Sequence, residues 1–521
     1  MLVKVHTAAV NALTALEIVV EVDLSSNIRS DEQKSIIMVG LPDNAVKESQ
    51  TRVKSALANS GYKIPPNYVT ANFAPADVRK EGSGYDLPLA IGLIAAAKMA
   101  DIHALEKTMF MGELGLDGSV RPIKGALPIA ILARKNGYEN LIVPAENARE
   151  AAVVNRLKVF GASKITDVVD FINGNPTLTQ TIVNTREDFY AAQTDYPLDF
   201  SEVKGQENVK RALEVAAAGG HNILLVGSPG CGKSMMAKRL PGILPQLTLA
   251  ESLETTQIYS VAGKLKQHTS LITQRPFRSP HHTISDVALC GGGMSFQPGE
   301  ISLAHNGVLF LDEFPEFSKT ALETMRQPLE DREISISRAK YTATLPCSFM
   351  LVASMNPCPC GYHNDPAHEC HCTPGQIMRY MSKISGPLLD RIDLQCEIQA
   401  VPFSDLAEMA PGEPSAAIRE RVIRARHIQE ERYKAHKGIH CNAQMTERML
   451  QQYARLDALS MEKLRMAMER LKLSARAYNR ILKVARTIAD LAAQENIQSE
   501  HIAEAISYRN LDRSDWAESG V

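Results

Sequence analysis

The chain has 521 residues, enough for three to four domains at roughly 150 residues each, so a single small module is excluded. Lys and Arg number 57 against 59 Asp and Glu, a net charge of −2, which excludes a uniformly basic nucleic-acid binder. It leaves room for a basic channel assembled from several copies.

Hydrophobic residues make up 45% and charged residues 22%, the composition of a folded globular chain. Aromatic residues are 5%, with one Trp, which argues against broad base-stacking platforms. No apolar run approaches the roughly 20 residues of a membrane span. The nearest, Leu87 to Ala97, contains Pro88. The N-terminus, MLVKVHTAAV, carries no secretory-signal pattern, so a cytoplasmic protein without a membrane partner is expected. The nine cysteines fit a reducing compartment, and four of them crowd between Cys358 and Cys372.

In chain order, residues 1–176 alternate β-like runs (IVVEVDL, SIIMVGL, YVTANF, NLIVP) with helix-like ones (NAVKESQTRVKSALANSG, DLPLAIGLIAAAKMADI, ALPIAILARKNG). That alternation predicts an α/β or α+β domain. Residues 177–197 are polar and without period, a linker with one short helix. Strands again alternate with helices over 198–400. Residues 401–510 turn helical, with apolar positions recurring at three and four, and 511–521 form a tail.

The strongest motif is Gly227, Ser228, Pro229, Gly230, Cys231, Gly232, Lys233, Ser234. An apolar strand precedes it and MMAKRL follows as a helix, the context of a phosphate-binding loop. Glycines let backbone N–H groups turn toward phosphate, and the helix N-terminus favours an anion. Lys233 would reach the β- and γ-phosphates of ATP, and Ser234 would ligate Mg²⁺. About eighty residues on, the strand GVLFL ends in Asp312 and Glu313. Asp312 would hold Mg²⁺ through water and Glu313 would act as general base. A third strand, FMLVAS, leads to Asn356, which reads either as a water-orienting amide or as an Asn-Pro turn. Arg391 and Arg476 are candidates to stabilise transition-state charge, with surface ion pairs as the bland alternative.

These residues, with FRSPHHTIS at Phe277, ALCGGG at Ala288, MNPCPCG at Met355 and SGPLLDRID at Ser385, resemble the magnesium-chelatase-like AAA+ ATPases. The closer resemblance is to the bacterial YifB/ComM family, and it covers nearly the whole chain. It implies a ring, commonly a hexamer of the chain with itself, with ATP between subunits. It implies that Asn356 senses nucleotide, that Arg391 is an arginine finger acting in trans, and that Arg476 is a second sensor. It also implies an α-helical C-terminal lid on the P-loop NTPase core. ComM-type members are implicated in DNA branch migration during natural transformation. The alternative is a chelatase- or MoxR-like remodeller of a protein partner.

The resemblance also implies extra segments that interrupt the ATPase core, which here would be 278–299 and 330–347. Alternation at Ile334, Ile336 and Tyr341 predicts a β-hairpin in the second, with Arg338 and Lys340 near its tip as DNA contacts in a pore or as surface charges. His281 and His282 read as loop histidines, with substrate or nucleotide proximity as the second option. Cys358, Cys360, Cys370 and Cys372 form C-x-C…C-x-C within an insert at 358–372. Structural Zn²⁺ and free, redox-active thiols both fit that spacing.

The N-terminal segments at Lys80 and Gly112 resemble the Lon protease domain, a ribosomal-S5-domain-2-like fold. Aligned with that family, Gly84 stands where the nucleophilic Ser belongs and Leu127 where the Lys belongs. The expectation is a non-proteolytic scaffold, with Ser83 and Lys124 as the residual route to a peptidase.

Overall fold

A computed structural model describes the chain except for residues 26–35, 65–67, 192–195, 267–268, 294–295, 339–340, 366, 401–409, 472 and 510–521. It is a mixed α/β structure of two compact units. The first comprises Met1–Gln193 with Leu249–Thr273, the second Thr194–Thr248 with Gln274–Val521.

The first unit is built on an eight-stranded sheet. Its centre is the antiparallel hairpin Leu2–Asn11 and Thr14–Ser25, turned through Ala12 at φ 52°. Ile18, Val20, Val22 and Leu24 point inward at period two and are buried. Tyr68–Ala74 and Ile36–Val39 extend one side; Thr108–Phe110, Asn140–Pro144, Lys158–Ala162 and Gln180–Thr181 extend the other. The helix Asp86–Ala96 packs on the hairpin with all its residues buried, which explains its almost wholly apolar sequence. The polar stretch after Pro176 supplies the edge strand Gln180–Thr181 and the helix Thr185–Ala191.

The sequence carries no sign of one excursion. The helix Leu249–Ala262 leaves the sequence of the second unit and packs on the helix Ala126–Lys135 of the first. Gly125 N–H donates to Ser260 O at 3.0 Å, and Ser252 Oγ donates to Ile272 O at 2.6 Å to close the excursion. Its buried face is largely Ser and Thr, so no apolar stripe announces it.

The second unit carries a five-stranded, wholly parallel sheet in the order Phe277–Arg278, Val308–Leu311, Met350–Met355, Ile223–Gly227, Leu394–Ile398. All residues of Ile223–Gly227, Val308–Leu311 and Met350–Met355 are buried, as helices on both faces of a parallel sheet require. Strand order reverses at Ile223–Gly227, the first of these strands in sequence, which lies between the fourth and fifth, Met350–Met355 and Leu394–Ile398. A crevice at the carboxyl ends of the strands follows from that topology. The arrangement is consistent with an AAA+-like domain.

The C-terminal helices Ser415–Tyr433, Glu447–Tyr453, Ala458–Arg470, Ala475–Leu491 and Ser499–Ser507 share one hydrophobic core with that sheet. A buried polar cluster stitches the two parts together. His221 Nδ1 lies 3.0 Å from Asp393 and its Nε2 lies 2.8 Å from Thr487 Oγ1. Arg480 donates to Asp393 at 2.8 Å. Burial opposes the charge of Asp393, but Arg480 and His221 hold its carboxyl well below the usual range. Replacing Asp393 with alanine leaves the buried His221 and the half-buried Arg480 guanidinium without their carboxylate and is expected to cost about 3–5 kcal/mol, read as a lower urea midpoint.

Candidate nucleotide site

The loop between strand Ile223–Gly227 and helix Lys233–Arg239 lies at the carboxyl end of the strand. Gly232 turns it into the helix at φ 95°, a conformation a side chain disfavours. Lys233 is nearly buried, and its Nζ donates to Gly227 O at 2.7 Å, Ser228 O at 2.9 Å and Asn356 Oδ1 at 3.2 Å. Ser234 Oγ donates to Asp312 Oδ2 at 2.7 Å, and Ser354 Oγ donates to the other carboxylate oxygen. Parallel pairing of the three central strands brings their carboxyl ends level, so Lys233, Ser234, Asp312, Ser354 and Asn356 meet along one edge. These residues are far apart in sequence, and the sheet alone assembles them. Ser354 carries no motif signal of its own.

Glu313 follows Asp312 in the left-handed region at φ 54°. A non-glycine residue held there stores strain of order 1–3 kcal/mol, and such residues gather at functional sites. Its side chain is 56% exposed and meets His282 Nδ1 at 2.9 Å. His281 stacks beside His282, with ring centroids 4.1 Å apart. The pair lies in a loop, the first of the two sequence options, and that loop brings His282 to the acidic strand end. Glu313 and Asn356 line a cleft of about 380 Å³ with Pro359, Gln376, Arg379 and Lys383. Lys383 pairs with Glu316, also in its lining, at 2.9 Å. Helix Pro374–Met381, started by a Thr373–Gln376 capping box, brings Gln376, Arg379 and Tyr380 to the cleft.

The family described as "Magnesium chelatase, subunit ChlI" matches residues 199–406. Residues 20–147 match "Subunit ChlI of Mg-chelatase", and residues 412–509 match "Magnesium chelatase, subunit ChlI C-terminal". "Competence protein ComM" of Haemophilus influenzae is 43% identical over 98% of this chain and 97% of its own length. "Uncharacterized protein YifB" of Salmonella typhimurium is 42% identical over 98% of this chain and 97% of its own. The chain belongs to the magnesium-chelatase-like YifB/ComM family. A more distant match is "DNA replication licensing factor MCM6" of Oryza sativa subsp. indica, 25% identical over 42% of this chain and 27% of its own length.

In this YifB/ComM-family chain the two candidate arginines stand outside the Lys233–Asp312 cluster. Arg391 follows the short helix Gly386–Leu389, donates to Pro387 O at 2.6 Å and pairs with Glu330. Arg476 lies in the first turn of Ala475–Leu491, which Ser474 caps, and it is 70% exposed and bonds Asp390 at 2.9 Å. The expected hairpin is present as Glu333–Arg338 and Tyr341–Pro346, with Ile334 and Ile336 buried. Lys340 lies outside the described residues, as does the Arg338 side chain.

The four clustered cysteines converge: their sulfurs all lie within 4.8 Å of one another. The loop they enclose touches the phosphate-loop sequence. Ser228 hydrogen-bonds the Asp365 carboxyl and holds it below its usual range. The buried Tyr380 hydroxyl, pushed up to about 12 by desolvation, accepts from Asn356 N–H. The cysteine cluster can bind metal. In the first unit, Ser83 donates to Glu113, the stem of Lys124 lies against Gly263, and Leu127 is fully buried. None of these contacts joins Ser83 to Lys124. No described helix is long and apolar enough to cross a membrane.

Proposed function

We propose that the chain is an ATP-hydrolysing, ring-forming AAA+ motor that acts on DNA. The observation that carries this reading is the single crevice edge where Lys233, Ser234, Asp312 and Asn356 meet, with Glu313 beside them. The donor set fits ATP with Mg²⁺: an ammonium and a glycine-rich turn for phosphate, a hydroxyl and a carboxylate as hard oxygen ligands. Ser234 and Asp312 would hold Mg²⁺, which when bound supplies positive charge against that developing on the phosphates. Lys233 exchanges its carbonyl partners for phosphate oxygens. Ser234 and Asp312, 2.7 Å apart, hold the metal side. Glu313 takes a proton from the attacking water, with His282 fixing its carboxylate at 2.9 Å.

Replacing His282 with alanine is expected to lower kcat about tenfold, the worth of one positioning hydrogen bond, with KM unchanged. Steady-state phosphate release against ATP concentration reads that split.

Arg391 and Arg476 are bonded to Glu330 and Asp390, so neither is committed to its own pocket. A guanidinium from an adjoining copy would complete the charge there, which favours a ring, hexameric by family resemblance. The relatives' names, a competence protein and DNA replication licensing factors, favour DNA as the substrate. Each copy would add the Arg338 and Lys340 hairpin to a central channel, offsetting the chain's net charge of −2 locally. Residues 1–176 serve as a Lon-like, non-proteolytic scaffold, and residues 401–510 as a helical lid.

The test is ATPase activity with no DNA, duplex, single strand and a four-way junction, alongside sizing with and without nucleotide. Stimulation by single-stranded or branched DNA and nucleotide-dependent assembly are expected. Turnover indifferent to every DNA would end the DNA claim and leave the ATPase. The chelatase-subunit matches favour a second reading, remodelling of a protein partner, which a stably co-purifying partner subunit would support.

A further inference from the structure

We propose that Cys358, Cys360, Cys370 and Cys372 hold one soft divalent metal ion, zinc by their chemistry, which braces the phosphate-binding loop. The bracing half rests on the nucleotide reading above; the metal half does not.

The geometry is that of a tetrathiolate. A tetrahedron with metal–sulfur bonds of about 2.3 Å has sulfur–sulfur edges of about 3.8 Å. The Cys358–Cys360, Cys358–Cys370 and Cys360–Cys370 separations are 3.2, 3.7 and 3.6 Å. A disulfide needs about 2.05 Å, and all nine cysteines are free. Backbone N–H groups of Tyr362 and His371 point at Cys360 sulfur, and those of Cys372 and Cys360 at the sulfurs of Cys370 and Cys372. Such donors stabilise thiolates bound to a cation. On binding, the thiols release their protons to solvent.

The nine residues between the two C-x-C pairs hold few apolar side chains, too few to fix their own conformation. Yet this loop makes two contacts with the phosphate loop. Gly361 sits so near Pro229 that a side chain there would come within 2.7 Å of the ring. Asp365 takes the Ser228 hydrogen bond while its carboxylate also accepts from Ala367 and His368 N–H. Cys372 leads directly into the helix whose Tyr380 bonds Asn356. A metal that pins the loop at both ends therefore sets both the phosphate turn and the amide above it.

The experiment uses the full chain purified under reducing conditions. Metal content by mass spectrometry should approach one zinc per chain, and the double variant Cys370→Ser/Cys372→Ser should lose it. Cys396→Ser, a buried cysteine outside the cluster, should keep it. Stripping wild-type protein with a chelator should weaken binding of a fluorescent ATP analogue about tenfold, and added zinc should restore it. Asp365→Ala should keep the metal and show a similar weakening. A reduced chain purified without metal, and taking up none from added zinc, overturns the site. Metal-free protein that binds the analogue as tightly as the loaded form overturns the bracing. Loaded protein that binds no nucleotide at all overturns the nucleotide reading, and the metal count still decides the site.

Discussion

Replacing Glu313 with glutamine is expected to leave nucleotide binding intact and to lower ATP turnover about 10²–10⁴-fold. Glutamine keeps the size of the side chain and a polar partner for His282, but it cannot accept the water's proton. The positive φ of Glu313 is unaffected, because the backbone strain is imposed by the strand end and not by the carboxylate. Lys233, Ser234 and Asp312 keep their contacts, so an ATP analogue should bind with unchanged affinity and favour assembled rings. Phosphate release and analogue binding on the same preparation decide it. Retained hydrolysis would mean that another group is the base.

Replacing Arg391 with alanine is expected to lower turnover about 10³–10⁵-fold, the usual worth of an arginine finger. The loss should be partly reversed by mixing with Lys233→Ala subunits, which offer an intact Arg391 to a neighbour's intact pocket. Rescue should peak at intermediate mixing ratios. The lost Glu330 pair lies at an exposed carboxylate, so little stability should go with it. Absence of rescue at every ratio, or full activity in isolated monomers, would remove the trans role and with it the ring as the catalytic unit.

Much of the site was legible because its chemistry is local. Gly227 to Ser234 needs a particular run of small residues, a lysine and a hydroxyl in consecutive positions, so the chain writes it in one place. The apolar strands ending at Asp312 and before Asn356 were readable for the same reason: a strand buried on both faces is apolar throughout. The hairpin at Ile334 and Ile336 followed from period-two alternation, with its inward residues buried as expected.

Four features were not legible. His282 is the loop histidine expected, but nothing nearby in sequence marks Glu313 as its partner, 31 positions on. Ser354 is one small residue at the end of a strand, and its role appears only when the neighbouring strand sets Asp312 opposite it. The excursion Leu249–Thr273 buries hydroxyls instead of an apolar stripe, so periodicity is silent about where it packs. The cysteine spacing fitted a metal-ligand set or free thiols, and only the folded loop revealed its contacts with Pro229 and Ser228.

By itself, then, the sequence determined which short segments hold the residue types suited to phosphate, metal and proton chemistry, since that suitability depends on residue type at fixed local spacing. Tertiary structure decided which of them share an edge, which partners orient them, and which unit each segment joins. Those outcomes depend on strand order and packing between positions tens to hundreds of residues apart, and no local pattern encodes them.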